Sequence, residues 1–427
     1  IEMTRDEEIL DLIELLLTAE VYNQYSNLSV NDLTPVAREV YGIHSMDGER
    51  TPVVVAESAL QRVLGIPDAH LRLDKHPLTL YEEFGHRLRI TSLPAGLTWF
   101  LKNGGRARIE KNPALAWFAR EQDPSFSITY EEVRDRNPRF EDSRIYLDRR
   151  ISRMLAEDDK LRSGLDLIII SAPEEVEQTI DDIICSVDQL SRIVKLKVAL
   201  EHLEFLKSRR VYEIGKLLFI GPPGTGKTSL AFALTRVLHM PILEVRLSMV
   251  TSQYLGETSK NIDRIFDVAR LLSPCILFID EFDFLAKSRV GDDHGAMKRA
   301  VNALLKNIDR ISLIRNRVLL IGATNHPQLL DEAAWRRFDE VIPFDLPDLP
   351  TRELILRRLL TESETHVDIA QVAEQTEGFS GADLKMLVRE AILSALTDGR
   401  TELTRDDIIK GELLIKTRDE HKARNWI

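Results

Sequence analysis

The stretch KLLFIGPPGTGKTS, residues 216–229, decides how this chain is read. An apolar run long enough for one strand enters a loop carrying Gly221, Gly224 and Gly226. That loop gives way to the helix-forming run SLAFALTRVL. The spacing GxxxxGK[ST] is that of a P-loop. Its glycines let backbone N–H groups turn inward around phosphate oxygens, and the following helix N-terminus adds partial positive charge. Lys227 is placed to neutralise the β and γ phosphates, and the Thr228 hydroxyl to coordinate Mg²⁺. Pro222, Pro223, Gly224, Thr225, Gly226 and Ser229 complete the expected nucleotide cradle, so ATP and Mg²⁺ are the expected ligands.

Working outward, short β-rich runs alternate with helical stretches: ILEVR (242–246), PCILFID (274–280), RVLLIGAT (317–324) and EVIPF (340–344). Near-continuous apolar strands separated by helices indicate an α/β fold with a parallel sheet covered on both faces. Beyond the connector punctuated by Pro343, Pro347 and Pro350, only helical patterns remain. Upstream, Ile9, Leu12, Ile13, Leu16 and Leu17 recur at helical spacing, and later runs such as ESALQRVLGI are helix-like. Three domains are expected: a mainly helical N-terminal adaptor or substrate domain (1–174), a large α/β domain (175–347), and a small helical domain with the C-terminal tail (348–427).

Composition narrows the class. With 427 residues, 44% hydrophobic and 30% charged, the chain reads as a soluble multidomain protein. A formal net charge of −12 argues against nonspecific coating of nucleic acid or anionic membrane. The basic run GGRARIEK (104–111) is too short to claim nucleic acid. Two isolated cysteines, Cys185 and Cys275, make neither a disulfide framework nor a metal cluster, which fits a reducing cytoplasm. No apolar stretch reaches the roughly 20 residues of a membrane helix.

The second chemical element is ILFIDEFD (276–283). Asp280 falls at the C-terminal end of a buried strand, where ligands bind in open α/β sheets. Beside a P-loop it is the expected Mg²⁺-shell carboxylate, and Glu281 is the candidate base that orients the attacking water. The strand VLLIGAT delivers Asn325 to the same edge, either as a turn former or as a holder of the lytic water or γ-phosphate. His294 lies in a polar loop without partner ligands at metal-binding spacing.

Together, GPPGTGKT, FIDEFD, GATNHPQLLD, RRFDEVIPFDLPD and GFSGADLKMLVREA resemble the AAA family of AAA+ ATPases. The resemblance covers about Asp182 to Gly411. It implies a P-loop parallel five-stranded sheet of order 5-1-4-3-2, a helical lid over it, and nucleotide at the junction between neighbouring subunits of a homo-oligomeric ring, usually a hexamer. It also implies an adenine site between Ile183 and the lid-helix start at Gly381 and Ala382. Arg336 and Arg337 stand in WRRF, in the spastin and katanin style, where relatives carry RPGRF. The corresponding arginines reach the γ-phosphate of the adjacent subunit's ATP, and which of the pair dominates stays open. Tyr254, Leu255 and Gly256 occupy the place of the pore loop that grips substrate polypeptide.

The function implied is a ring-forming motor that unfolds, threads or disassembles protein substrates. A nucleic-acid-associated motor or clamp-loader-like ATPase is the alternative from another class, and a slow nucleotide-gated scaffold is a third. Net acidity and the lack of a helix-turn-helix or basic stripe weigh against the second.

Overall fold

The computed structural model describes residues 5–43, 51–73, 76–158, 161–245, 258–283, 294–361 and 367–424. It divides into two compact units, Ile1–Arg149 and Arg150–Ile427.

In the first unit, helix α1 (Arg5–Gln24) buries Leu12, Ile13, Leu16 and Leu17. These share a core with Phe100 of α2 (Leu93–Lys102) and Leu115 and Phe118 of α3 (Pro113–Gln122). Trp99 and Trp117 pack partly buried against that core, edge-on to His76 and Tyr25. The unit is mainly helical but also holds a three-stranded antiparallel sheet of order β1-β3-β2 (Val55–Ala56, Thr79–Glu82, Arg87–Ile90). In β3 the alternation Arg87, Leu88, Arg89, Ile90 turns Leu88 and Ile90 into the core and the arginines out. That is period-2 patterning.

The second unit is built on a sheet of order β4-β6-β7-β8-β5-β9. The strands are β4 (Ile168–Ser171), β5 (Lys216–Ile220), β6 (Ile242–Val245), β7 (Cys275–Ile279), β8 (Val318–Thr324) and β9 (Glu340–Pro343). Its five parallel strands, counted along the chain from β5, lie in the expected order 5-1-4-3-2. β7 and β8 are buried throughout, which accounts for their unbroken apolar sequence. Helices α4 (Val187–Glu201), α5 (Lys227–Leu238), α6 (Thr258–Leu271) and α7 (His294–Arg310) connect and flank them.

The structure adds two features to this plan. Among the described residues a sixth strand joins the five parallel ones: Ile168–Ser171 pairs antiparallel with β6, Ile168 opposite Val245 and Ser171 opposite Ile242. The compact unit that holds this sheet begins at Arg150, upstream of the residue 175 expected for the α/β domain. Met154, Leu161, Leu167 and Ile168 pack in the same core as Val245, Phe266 and Leu277. The physical reason is that β6 would otherwise end the sheet with an unpaired row of backbone donors and acceptors.

After β9, Asp348 caps α8 (Leu349–Leu359), and α9 (Ile369–Gln375), α10 (Gly381–Thr397) and α11 (Arg405–Arg424) follow. Leu356, Ala373, Leu384, Leu387, Ala391 and Ile415 form their own helical core. Among the described residues, no helix is long and apolar enough to cross a membrane.

Candidate functional site: a phosphate loop beneath a helical lid

The phosphate loop joins β5 to α5 at the centre of the sheet. Its conformation demands glycine at two places. Gly221 has φ +148°, and a Cβ there would fall 2.0 Å from the Phe344 carbonyl oxygen. Gly224 has φ +79°, and a Cβ there would stand 2.6 Å from Ser380 Oγ and 2.9 Å from the Ala382 Cβ. Thr225 Oγ1 donates to the Pro222 carbonyl at 2.8 Å. The exposed segment Pro222–Gly224 leads to Lys227, which is buried; Thr228 and Ser229 are exposed. Lys227 Nζ donates to the Gly221 and Pro222 carbonyls at 2.8 and 2.6 Å. Burial lowers the Lys227 pKa, and the Asp280 charge opposes that shift.

The acidic edge comes from the end of β7. Asp280 Oδ2 accepts from Thr228 Oγ1 at 3.1 Å, and its other oxygen accepts from the Glu281 backbone N–H at 2.8 Å. Glu281 is exposed and adopts the left-handed region at φ +49°. Such strained conformations cost about 1–3 kcal/mol and concentrate at functional sites. Beyond it the chain is held again: the Phe282 N–H donates to the Ala323 carbonyl at 2.8 Å, and Phe282 packs edge-on to Phe338.

Asp283 is a residue whose part the sequence reading did not assign. It is buried and accepts from Thr324 Oγ1 at 2.7 Å, while that same Oγ1 accepts from the His326 N–H at 3.0 Å. Asn325 is therefore bracketed by a hydroxyl tied to the acidic box. The signal was present in FIDEFD as a third acid two residues past Glu281. The Asn325 Oδ1 is buried without a hydrogen-bond partner. A buried acceptor left unmatched costs about 1–3 kcal/mol.

Among the described residues, no cluster of three or more His, Cys, Asp or Glu could hold a metal by itself. Mg²⁺ keeps several waters and uses one or two protein ligands plus phosphate oxygens. Thr228 and Asp280 are the residues that would hold it.

The lid meets this loop directly. Ser380 caps α10 in a capping box with Asp383, and the Ala382 N–H donates to the Gly224 carbonyl at 3.0 Å. Gly381 and Ala382 thus stand beside the phosphate loop, whereas Ile183 packs partly buried against the core formed by Leu230 and Phe344. A cavity of about 300 Å³ is lined by the next residue, Ile184, and by Leu354, Arg357, Arg358 and Thr361 of the lid. Its lining includes no residue of the phosphate loop.

Arg336 and Arg337 follow a short helix (Glu332–Trp335) capped by Asp331. Arg336 is exposed and pairs with Glu332. Arg337 is less exposed, with its Nε 3.2 Å from Asp309. Neither forms a hydrogen bond or ion pair with Lys227, Thr228, Asp280 or Glu281 of its own chain. Tyr254, Leu255 and Gly256 lie outside the described residues.

A phosphate loop, an acidic strand end and a helical lid define this unit as a P-loop nucleotide-binding module. Residues 217–346 match the ATPase family associated with various cellular activities (AAA), and residues 366–410 match the AAA+ lid domain. This part of the chain is an AAA ATPase domain followed by its lid. Spastin from Anopheles gambiae is 40% identical over 191 residues, covering 44% of this chain and 23% of that protein. Spastin from Drosophila grimshawi is 37% identical over 212 residues, covering 48% of this chain and 27% of that protein. The crystal structure of the FIGL-1 AAA domain is similar at a TM-score of 0.50 and 26% identity, over 60% of this chain and 89% of that one. The chain spans about a quarter of the length of the curated relatives it matches.

Proposed function

We propose that the chain is an ATP-hydrolysing motor that assembles into a homohexameric ring and remodels protein substrates in the cytoplasm. The observation that carries this reading is the Thr228–Asp280 contact, which joins the phosphate loop to the acidic strand end with Glu281 exposed beside it. Lys227 exchanges its two carbonyl acceptors for phosphate oxygens, and the loop N–H groups enclose the triphosphate. Thr228 and Asp280 would hold Mg²⁺, which supplies neutralisation of phosphate charge when bound. Glu281 orients a water and takes its proton, while Asn325 holds that water or the γ-phosphate. Gly381, Ala382 and Ile183 enclose the base.

Arg336 and Arg337 then act on the next copy's nucleotide, where a guanidinium can contribute about 10³–10⁵ in rate. Their lack of a partner among the catalytic residues of their own chain supports action in trans. The Tyr254–Leu255–Gly256 triplet grips polypeptide in the pore, each aromatic contact contributing about 1–3 kcal/mol. The N-terminal unit presents substrate or adaptor. The likeness to spastin and to the FIGL-1 AAA domain supports this reading over a nucleic-acid motor.

The test is substrate capture. Glu281→Gln protein held in ATP is recovered from lysate, and bound protein and nucleic acid are identified. Purified captured clients are then remodelled by the wild type and by Tyr254→Ala. Recovery of nucleic acid alone, or full remodelling by Tyr254→Ala at wild-type rate, would sink the protein-threading reading.

A further inference from the structure

The C-terminal helix α11 approaches α10 closely enough to matter for the nucleotide site. Ile408, Gly411 and Ile415 are buried along one face of α11, and Arg418 lies one turn further on the same stripe. Glycine inside a helix costs about 1 kcal/mol relative to alanine. Here it is required, because a Cβ at Gly411 would fall 2.6 Å from the Leu387 carbonyl oxygen. This close approach fixes where the Arg418 guanidinium arrives. Its Nη2 donates to Asp383 Oδ1 at 2.6 Å and its Nη1 to Met386 Sδ at 3.5 Å.

Asp383 is also the acid of the α10 capping box. Its Oδ2 accepts from Ser380 N–H at 3.0 Å and Ser380 Oγ at 2.6 Å. The helix start so fixed is the one whose Ala382 N–H bonds the Gly224 carbonyl, with Ser380 and Ala382 filling the space a side chain at 224 would need. Three consecutive contacts thus run from the C-terminal helix to the phosphate loop. Although burial pushes the Asp383 pKa up, the Ser380 and Arg418 hydrogen bonds outweigh it, so the carboxyl lies below the usual range. The pair is mostly shielded from water, with side chains 32% and 18% exposed.

We propose that Arg418 is a positioning residue for nucleotide binding: by neutralising and orienting Asp383, it holds the lid-helix start against Gly224 and preforms the phosphate loop. Without Arg418, a half-buried carboxylate one residue from the Ala382 amide stands uncompensated near a bound polyanion. The effect therefore falls on nucleotide affinity. Asp280 meets the loop at Thr228, away from Gly224, so the proposed hydrolytic group is not part of this chain of contacts. The inference rests on the P-loop reading of the site.

The experiment measures binding of a fluorescent ADP to the full chain, with ATPase kinetics alongside. Arg418→Met keeps much of the apolar stem that packs on Met386. It is expected to weaken nucleotide binding roughly fivefold or more and raise KM with kcat nearly unchanged. Arg418→Lys, which keeps the charge, should recover most of the affinity. Adding Asp383→Asn to Arg418→Met should recover part of it, because the uncompensated charge is gone, and raised salt should narrow the deficit. A purely structural role predicts additive losses and no salt effect. If the wild type binds ADP and Arg418→Met binds it equally well, or the double variant is additively worse, the proposal is overturned. If the wild type itself fails to bind, the P-loop reading fails instead.

Discussion

Thr228 Oγ1 lies 3.1 Å from Asp280 Oδ2, across 52 positions of sequence. A helix-start hydroxyl and a strand-end carboxylate meet because β5 and β7 both pair with β8, which sets the ends of the two strands on one edge of the sheet. The contact joins the phosphate loop to the acidic strand end.

Lys227→Ala removes the cation that the loop now holds on two of its own carbonyls. Nucleotide affinity should fall by about two orders of magnitude, the equivalent of roughly 3 kcal/mol. Isothermal titration with ADP checks this, and unchanged affinity contradicts the phosphate-site reading.

Glu281→Gln keeps shape and removes the proton acceptor. Binding should be preserved while turnover drops about 10²–10⁴-fold. Steady-state phosphate release against a binding isotherm separates the two effects. A variant that loses both together would place Glu281 in binding rather than in hydrolysis.

An Arg336/Arg337→Ala double variant and Glu281→Gln should each be inactive alone. Mixed under conditions where rings exchange subunits, they should regain activity, because some interfaces then join an intact Glu281 to an intact arginine pair. Absence of complementation returns the arginines to ordinary surface pairs with Glu332 and Asp309.

Gly224→Ala introduces a Cβ within 2.6 Å of Ser380 Oγ at a backbone angle of φ +79°. The strain, about 1–3 kcal/mol, should push the lid-helix start off the loop and weaken nucleotide binding about tenfold. Gly399→Ala is the control: it has φ +73° but nothing within 4 Å of the new methyl. It should lower melting temperature slightly and leave nucleotide affinity alone.

The lid carries an acid-sensitive contact. Arg400 hydrogen bonds hold the Asp407 carboxyl well below the usual range against the opposing effect of burial, with bonds from Thr404 and Ser394 adding to them. A depressed folded-state pKa means the stabilisation is complete above the unfolded value of about 3.9 and is lost as pH falls through the folded one. Lid melting should be flat from neutral pH to about 5 and decline below about 4. Arg400→Ala should melt lower at neutral pH and lose less below about 4, because its Asp407 carboxyl then titrates closer to the unfolded value. Calorimetry across that range checks it, and superimposable curves would dismiss the pair as a determinant.

What was legible in the sequence were features whose chemistry is local. The phosphate loop, the Ser380 capping box and the buried strands β7 and β8 are written in adjacent residues and recur in the fold as read. Features that depend on distant pairing were not. LDLIIIS is apolar enough to suggest a strand, but only the exposed edge of β6, some 75 residues later, tells it where to pair. The β2–β3 hairpin did show alternation, in RLRI, and was absorbed into a helical expectation for the whole region. Asp283 showed in FIDEFD as an acid, but its partner could not be read there because Thr324 lies 41 residues away.

The antiparallel strand β4 has a practical consequence for anyone dissecting the protein. Cutting at residue 175, where the texture of the sequence changes, would remove the four-residue cover from β6 and leave an apolar strand edge open to intermolecular pairing. A fragment beginning at Arg150 keeps both the cover and the side chains that pack beneath it. The shorter piece should be recovered as aggregates and the longer one as a dispersed, refoldable ATPase module, so the choice of a start point 25 residues earlier decides whether its enzymology can be done at all.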